Sequence, residues 1–240
     1  MSQPISDEVR NRALAEIQRS PEPQRRNISA QKSAVKVQEI YEKLLLSAYK
    51  VCYEVGEDDC WWDLHYSEDP GLNAYAFGDG SIVIQRDILV FTKTDDEVAF
   101  VVAHELGHHI ANHLSETARR RGISSLAAAM LYAGVSVAIL PSSDPYFAAN
   151  TYNNMSVGAK TGSYLGGIVF SVAQELEADY LAAMILADSG YDLGKSRSIL
   201  ITMSKKGSNY QAGIFDTHPA GPDRLAAWDR ASENLEKPTP

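Results

Sequence analysis

Residues 94–113 read TDDEVAFVVAHELGHHIANH. Thr94 with Glu97 three residues on forms a capping box, the reciprocal pairing that opens a helix. Val98, Val101 and Val102 continue the apolar face, and the triplet Arg119-Arg120-Arg121 before Gly122 suits a helix C-terminus. The spacing predicts one helix from about Thr94 to about Arg119. Inside it, His104-Glu105-Leu106-Gly107-His108 is an H-E-x-x-H pattern. Residues four apart share a helix face, so both imidazoles can reach one zinc ion while Glu105 projects beside it. There Glu105 can take a proton from metal-bound water, whose pKa is lowered towards about 7, and pass it to a leaving amine. His109 and His113 repeat the spacing with Ile110 where the base would sit. Position 109 is rotated by about 100° from 108, so the two pairs cannot serve one ion. His109 and His113 are therefore read as helix-surface residues or as residues standing behind the ligands.

Catalytic zinc takes three protein ligands and keeps a fourth position for water, so one ligand must come from elsewhere. Residues 174–179 read QELEAD. Glu175 and Asp179 share a helix face, while Glu177 lies about 200° round from Glu175. Glu175 can ligate the zinc, and Asp179 can hydrogen-bond the far nitrogen of a ligating histidine and fix its orientation. Apolar neighbours, among them Phe170, Leu176 and Leu181, make burial of these charges costly without a metal or a partner. His218 sits in a loop restrained by Pro219 and Gly221-Pro222, and two roles stand open for it. It can donate a hydrogen bond to a tetrahedral oxyanion, or occupy the fourth zinc position in a resting state. Arg224 is read as an anchor for this loop, pairing with Asp179 or Glu177.

Outward from these segments, residues 1–30 are polar, carry Pro4, Pro21 and Pro23, and read as a mobile or loosely docked arm. Residues 31–232 read as the peptidase domain and 233–240 as a C-terminal tail. Apolar positions at helical spacing predict an amphipathic helix from Ser29, its N-cap, to Cys52. Strands are expected near Trp61 to Tyr66, Ala74 to Phe77 and Ser81 to Gln85, the last two joined as a hairpin through Gly78-Asp79-Gly80. Asn73, Ala74, Tyr75 and Ala76 are read either as a platform that binds an extended substrate by β-augmentation or as a plain core strand. A second long helix runs from about Val169 to Ser189. The Ala-rich apolar run Ile123 to Leu140, ended by Pro141, is at the lower limit of a membrane span and is read as a buried helix, with a long loop over 141–167.

The chain has 240 residues, 45% hydrophobic and 22% charged, with 22 Lys plus Arg against 31 Asp plus Glu and a formal charge of -9. That sign disfavours nucleic acid as a partner. Two cysteines are too few for a disulfide framework or a four-Cys zinc site. Cys52 and Cys60 stand open between a local bridge and two buried thiols. The opening MSQPISDEVRNRALAEIQ has no signal-peptide pattern. This fits a cytosolic protein and equally a chain whose export signal has been replaced by a start codon.

Four blocks in order carry a family resemblance: Asn73-Ala74-Tyr75-Ala76-Phe77 with its glycine turn and strand, the His104 motif, E-x-x-A-D over Glu175 to Asp179, and Thr217-His218-Pro219 with Arg224. The chain resembles the zinc peptidases that include HtpX-type heat-shock proteases, CAAX prenyl proteases and their soluble periplasmic or lipoprotein relatives. The resemblance implies a predominantly helical α+β, gluzincin-like domain with a small sheet beside the active-site helix. It also implies one Zn2+ per chain held by His104, His108 and Glu175, with Glu105 as base. Integral-membrane members have clear spans, which only Ile123 to Leu140 approaches here, so the soluble or peripheral branch fits better. The implied activity is hydrolysis of unfolded or misassembled envelope proteins in the bacterial periplasm or at the outer-membrane periphery, with the cytoplasm as the other compartment. Peripheral membrane association and oligomeric state stay open. The rivals are a non-catalytic chaperone or assembly factor on the same fold, and a membrane-associated CAAX-type protease.

Overall fold

The computed structural model describes residues 5–57, 59–120, 170–206, 218 and 221–235. The apolar run 123–140, the loop over 141–167, Thr217 and Pro219 lie outside the described residues. Among those described, the protein is mostly helical with one three-stranded sheet, an α+β arrangement. None of the described helices is long and apolar enough to cross a membrane.

Helix α1, Asp7–Arg19, opens with Ser6 accepting a hydrogen bond from the Val9 amide. The sequence reads residues 1–30 as a loosely held arm, but α1 packs against the last helix with Ala13 and Ile17 buried in the main core. Two ion pairs fasten it: Arg10 to Asp223 at 2.7 Å and Glu16 to Arg197 at 2.7 Å. Helix α2, Ala30–Glu54, starts from the expected Ser29 cap and turns Val37, Ile40, Leu44, Ala48 and Val51 into the core. Its Tyr41 hydroxyl donates to the Trp62 carbonyl at 2.7 Å, tying the helix to the sheet. Cys52 and Cys60 form a disulfide, so the bridge is the reading that stands.

The strands are β1, Asp63–Ser67, β2, Ala74–Ala76, and β3, Ser81–Gln85. Their order is β1-β3-β2, with β1 parallel to β3 and β2 antiparallel to it. The β2–β3 hairpin turns where expected. Gly80 is left-handed there (φ +89°), and a Cβ on it would lie 2.7 Å from the Trp61 carbonyl oxygen, so both conformation and space call for glycine. A short helix α3, Arg86–Phe91, leads to the central helix α4, Asp95–Ile110. The Thr94–Glu97 capping box is present, and α4 is buried along most of its length.

The single helix expected to run to about Arg119 is interrupted. After Ile110 the chain turns through Ala111 and Asn112, with Asn112 left-handed at φ 53°, and restarts as α5, His113–Arg120. Asparagine tolerates this conformation better than most residues. The Ala111 and Asn112 amides still find partners, at Gly107 O and His109 O. Helix α6, Val172–Asp188, begins three residues later than Val169, from a Ser171–Gln174 capping box absent from the sequence reading. Helices α7, Leu193–Ser196, α8, Ser198–Lys206, and α9, Pro222–Leu235, complete the fold. Residues 233–235 thus belong to α9 and not to a tail. Pro222 occupies the first helical position, where its missing N–H costs nothing.

Helices α4 and α6 form the centre, with α2 and α9 packed against α6. They approach closely at Gly107, where an added Cβ would sit 2.7 Å from the Ala178 carbonyl oxygen and 3.1 Å from its Cα. This approach lets the side chains that flank the contact on both helices, three residues before it and one after, converge.

Candidate active site

The H-E-x-x-H pair on α4 and the carboxylates on α6 face each other across that contact. His104, Glu105, His108, Glu175, Asp179, His218 and Arg224 are all buried, none more than 2% exposed. One ligand atom from each of His104, His108, Glu175 and His218 lies within 4.8 Å of the other three. The Nε2 atoms of His104 and His108 are 3.0 Å apart. His104 Nε2 lies 3.3 Å from His218 Nδ1 and 3.4 Å from Glu175 Oε2. Glu175 Oε1 lies 3.4 Å from His108 Nε2 and 3.1 Å from His218 Nδ1. Helical spacing pairs His104 with His108, and the packing of α4 on α6 brings Glu175 to them. The turn at His218 and the N-terminus of α9 bring in the fourth.

The surroundings fix the orientation of several members. Asp179 Oδ1 is 3.0 Å from His104 Nδ1, behind the ring. Arg224 grips Asp179 with Nε and Nη2, both at 2.7 Å, and reaches Glu175 Oε2 with Nη1 at 2.6 Å. Of the two partners expected for Arg224, Asp179 is the one present. Glu177 does not meet Arg224; its side chain is 63% exposed, and Glu175 takes its place. Phe100 stacks on the His104 ring, with centroids 5.8 Å apart, and Phe170 stacks on His108 at 3.9 Å. The sequence marked Phe170 only as an apolar neighbour of the carboxylates and Phe100 not at all, because a lone phenylalanine in an apolar run carries no site signal.

Burial dominates the ionisation behaviour. It pushes the Glu105 carboxyl above its usual range, although His218 and His104 oppose the shift. Both Glu105 oxygens are buried without a hydrogen-bond partner among the described residues, and Oε1 is 3.6 Å from His218 Nε2. Burial also holds His108 well below the ordinary histidine value. For His104, burial and Arg224 disfavour the charged form, but hydrogen bonds to Asp179 and Glu175 outweigh them and push it up to about 9. Burial likewise opposes ionisation of Glu175 and Asp179, and the Arg224 guanidinium reverses it, so both lie below the usual carboxylate range.

This arrangement fits a bound divalent cation. Two imidazole nitrogens face each other at hydrogen-bond distance with a third nitrogen and a carboxylate beside them, so one shared cation can take all of their lone pairs. With neutral imidazoles, three buried carboxylates (Glu105, Glu175, Asp179) stand against one buried guanidinium among the described residues of the site. A divalent cation fills that deficit of two charges.

His109 and His113 are neither of them on the open helix surface. His109 is half-buried with Nε2 3.4 Å from the Ser81 carbonyl, and burial holds it down to about 4. His113 is buried behind His108, with their Nδ1 atoms 3.0 Å apart. The Asn112 turn puts it there, and no periodicity argument reveals such a turn. Strand β2 runs beside α4. Asn73 and Ala74 are buried, Tyr75 and Ala76 are half-buried, and the edge of β2 away from β3 has no strand partner among the described residues. Burial raises the Tyr75 hydroxyl, opposed by its hydrogen bond with Asn73 and reinforced by the Glu105 charge.

Comparison with known proteins agrees with this geometry. The sequence profile described as "Peptidase family M48" matches residues 31–232. "Mitochondrial metalloendopeptidase OMA1" of Arabidopsis thaliana is 28% identical over 163 residues, covering 68% of this chain and 30% of that protein. Its namesake in Saccharomyces cerevisiae is 26% identical over 217 residues, 85% of this chain and 55% of the relative. "Beta-barrel assembly-enhancing protease" of Escherichia coli K12 is 29% identical over 168 residues, 68% of this chain and 33% of the relative. The chain thus spans between about a third and about half of the length of these relatives. With a buried His, His, Glu and His cluster at its centre and the family profile covering most of its length, the chain belongs to peptidase family M48.

Proposed function

We propose that the chain is a zinc-dependent endopeptidase that cleaves unfolded or misassembled proteins of the bacterial envelope, with His104, His108 and Glu175 as ligands and Glu105 as general base. The observation that carries this reading is the Glu105 carboxylate, buried without a hydrogen-bond partner among the described residues and beside four convergent donors. A nitrogen-rich donor set with one carboxylate suits zinc. Tetrahedral bonds of about 2.0–2.1 Å give donor separations near 3.3–3.4 Å; the neighbouring donor pairs lie 3.0–3.4 Å apart, and all four donors fall within 4.8 Å of one another.

Bound zinc would act as a Lewis acid and lower the pKa of water. The side chains do the rest. Asp179 accepts from His104 Nδ1–H and so turns the Nε2 lone pair to the centre. Arg224 holds Asp179 and one oxygen of Glu175 and prevents both carboxylates from rotating. Glu105 takes the proton of the attacking water and delivers it to the leaving amine. The outer edge of β2, from Asn73 to Ala76, receives the substrate as an added strand. Backbone hydrogen bonds then supply affinity and demand little side-chain specificity.

His218 has its Nδ1 among the donors and its Nε2 towards Glu105. This position favours the resting-state role, in which His218 would hold the metal beside the other three donors and would exclude water. Substrate on β2 would release the ring, which can then stabilise the oxyanion. Support for an envelope location comes from the Cys52–Cys60 disulfide, a bond that persists in oxidising compartments, and from the relative named for β-barrel assembly.

The test is zinc content together with casein cleavage. Wild type should hold one zinc and lose activity to a chelator. Glu105→Gln should keep the zinc and lose about 10² to 10⁴ of the rate. Near-wild-type cleavage by Glu105→Gln would refute the mechanism, and a zinc-loaded wild type that protects unfolded proteins without cutting them would favour the chaperone reading.

A further inference from the structure

Two histidines are proposed as ligands, and each has a different arrangement behind it. Behind His104 stands a carboxylate in direct contact, Asp179 at 3.0 Å from Nδ1. Behind His108 stands another imidazole. His108 Nδ1, the nitrogen turned away from the donor cluster, is 3.0 Å from His113 Nδ1. His113 Nε2 is in turn 3.3 Å from Glu177 Oε2. His113 is 1% exposed, whereas the Glu177 side chain is 63% exposed. The line therefore runs from the centre of the site to the protein surface through one buried ring.

The hydrogen bonds along this line have a single consistent direction. With the His108 Nε2 lone pair turned to the cluster, its Nδ1 carries the proton and donates to His113 Nδ1. The remaining proton of His113 then sits on Nε2 and is donated to Glu177. Each nitrogen has one role and no polar atom in the line is left over.

The backbone is arranged to permit this contact. The left-handed Asn112 ends α4 and restarts the chain as α5, so His113 leaves the position a continuous helix would give it. Gln174 on α6 then locks the start of α5 in place, its Nε2 donating to Glu116 Oε2 (2.9 Å) and Thr117 Oγ1 (3.1 Å) and lying 3.4 Å from the His113 carbonyl. Phe170 stacks on His108 and closes its exposed face.

We propose that His113 and Glu177 are positioning residues for His108: a relayed carboxylate that orients the second ligand as Asp179 directly orients the first. Neither touches the reacting atoms. Glu177 acts only through His113, so the two form a series and not two independent supports. This inference rests on the zinc reading above.

The experiment measures zinc affinity of the full chain by chelator competition, with the visible spectrum of the Co2+-substituted protein as a signature of ligand orientation. His113→Leu should weaken zinc binding about 10- to 100-fold, the usual consequence of losing such a partner, and shift the cobalt bands. His113→Asn places an amide oxygen near the position of Nδ1 and should stay within about threefold of wild type, since the acceptor for His108 is restored. Glu177→Leu should weaken binding several-fold in the wild-type background and have no further effect on top of His113→Leu. A wild-type affinity in His113→Leu, or a Glu177→Leu effect of equal size in both backgrounds, would overturn the relay. Should His113→Leu fail to fold, Glu177→Leu decides alone: unchanged affinity and unchanged cobalt bands overturn the proposal. A wild-type chain that binds no zinc fails at an earlier point, by refuting the metal site itself.

Discussion

Gly107→Ala separates two effects that act in opposite directions. Glycine inside a helix is about 0.8–1.0 kcal/mol less favourable than alanine, so taken alone α4 gains about 1 kcal/mol from the change. The new methyl, however, would meet Ala178 O at 2.7 Å, its Cα at 3.1 Å and its carbonyl carbon at 3.3 Å. These are backbone atoms of the facing helix and cannot rotate away. Restoring an ordinary contact of about 3.4–3.5 Å requires α4 and α6 to part by about 0.7 Å. Overpacking of this kind costs about 1–3 kcal/mol, so the net change in stability is small, about 0–2 kcal/mol destabilising. The metal site has no such tolerance. Gly107 lies between His104 and His108, Ala178 lies between Glu175 and Asp179, and coordination distances accept only about ±0.2 Å. Zinc affinity should therefore fall by at least about tenfold while the metal-free protein loses only a few degrees in Tm, read by chelator competition and by thermal unfolding of metal-free samples. Ala178→Gly should not rescue the loss, because the obstructing atoms are main chain. A Gly107→Ala protein that is more stable by about 1 kcal/mol and binds zinc as wild type would refute the claim that close helix approach builds the site.

Three further outcomes are expected. Glu175→Ala should lower zinc stoichiometry sharply, whereas Glu177→Ala should keep one zinc per chain with at most a weaker affinity; metal analysis of both proteins shows which carboxylate is the ligand. His218→Ala should raise basal casein cleavage if the ring blocks the fourth zinc position at rest, and a drop in initial rate would instead assign it a purely catalytic part. Arg224→Met leaves Asp179 and one oxygen of Glu175 buried without their cation and should cost about 3–5 kcal/mol in denaturant unfolding, an expectation that a loss below about 1 kcal/mol would contradict.

The residues that helical periodicity places were legible. His104, Glu105 and His108 share one helix with a readable cap, and Glu175 and Asp179 recur one turn apart on another, so their mutual geometry is local. The long-range partners were legible only as options. Arg224 had two candidate carboxylates, and the packing of α9 on α6 selects Asp179 and adds Glu175, a choice no spacing on either helix encodes. His113 stands behind a ligand, one of the two places read for it, but the turn that seats it there was hidden for a different reason. Asparagine occurs inside helices often enough that Asn112 does not announce a break, so the 94–119 stretch read as continuous. The docking of α1 escaped because Ala13 and Ile17 make a thin apolar stripe. What fastens the helix is the pairing of Arg10 with Asp223 and Glu16 with Arg197, across more than 180 positions. The parallel pairing of β1 with β3 was invisible for the same reason, since nothing near either strand specifies its neighbour.

Charge explains why so many polar groups can lie together at the centre of this core. Glu105, Glu175 and Asp179 are at most 2% exposed, and Arg224 is the buried guanidinium that answers them. Each uncompensated buried ion costs several kcal/mol even after relaxation, so a site left short of two positive charges works against folding. Protons are one remedy: burial raises Glu105, and the bonds to Asp179 and Glu175 raise His104 to about 9. A divalent cation is the other, and it must displace protons from the same groups, so metal affinity and fold stability are two readings of one electrostatic balance. The close contact at Gly107, the clamp at Arg224 and the left-handed turn at Asn112 all act on that balance by fixing where the compensating charge can sit. On the proposed mechanism, a change at any of them would reach catalysis through the metal without touching Glu105.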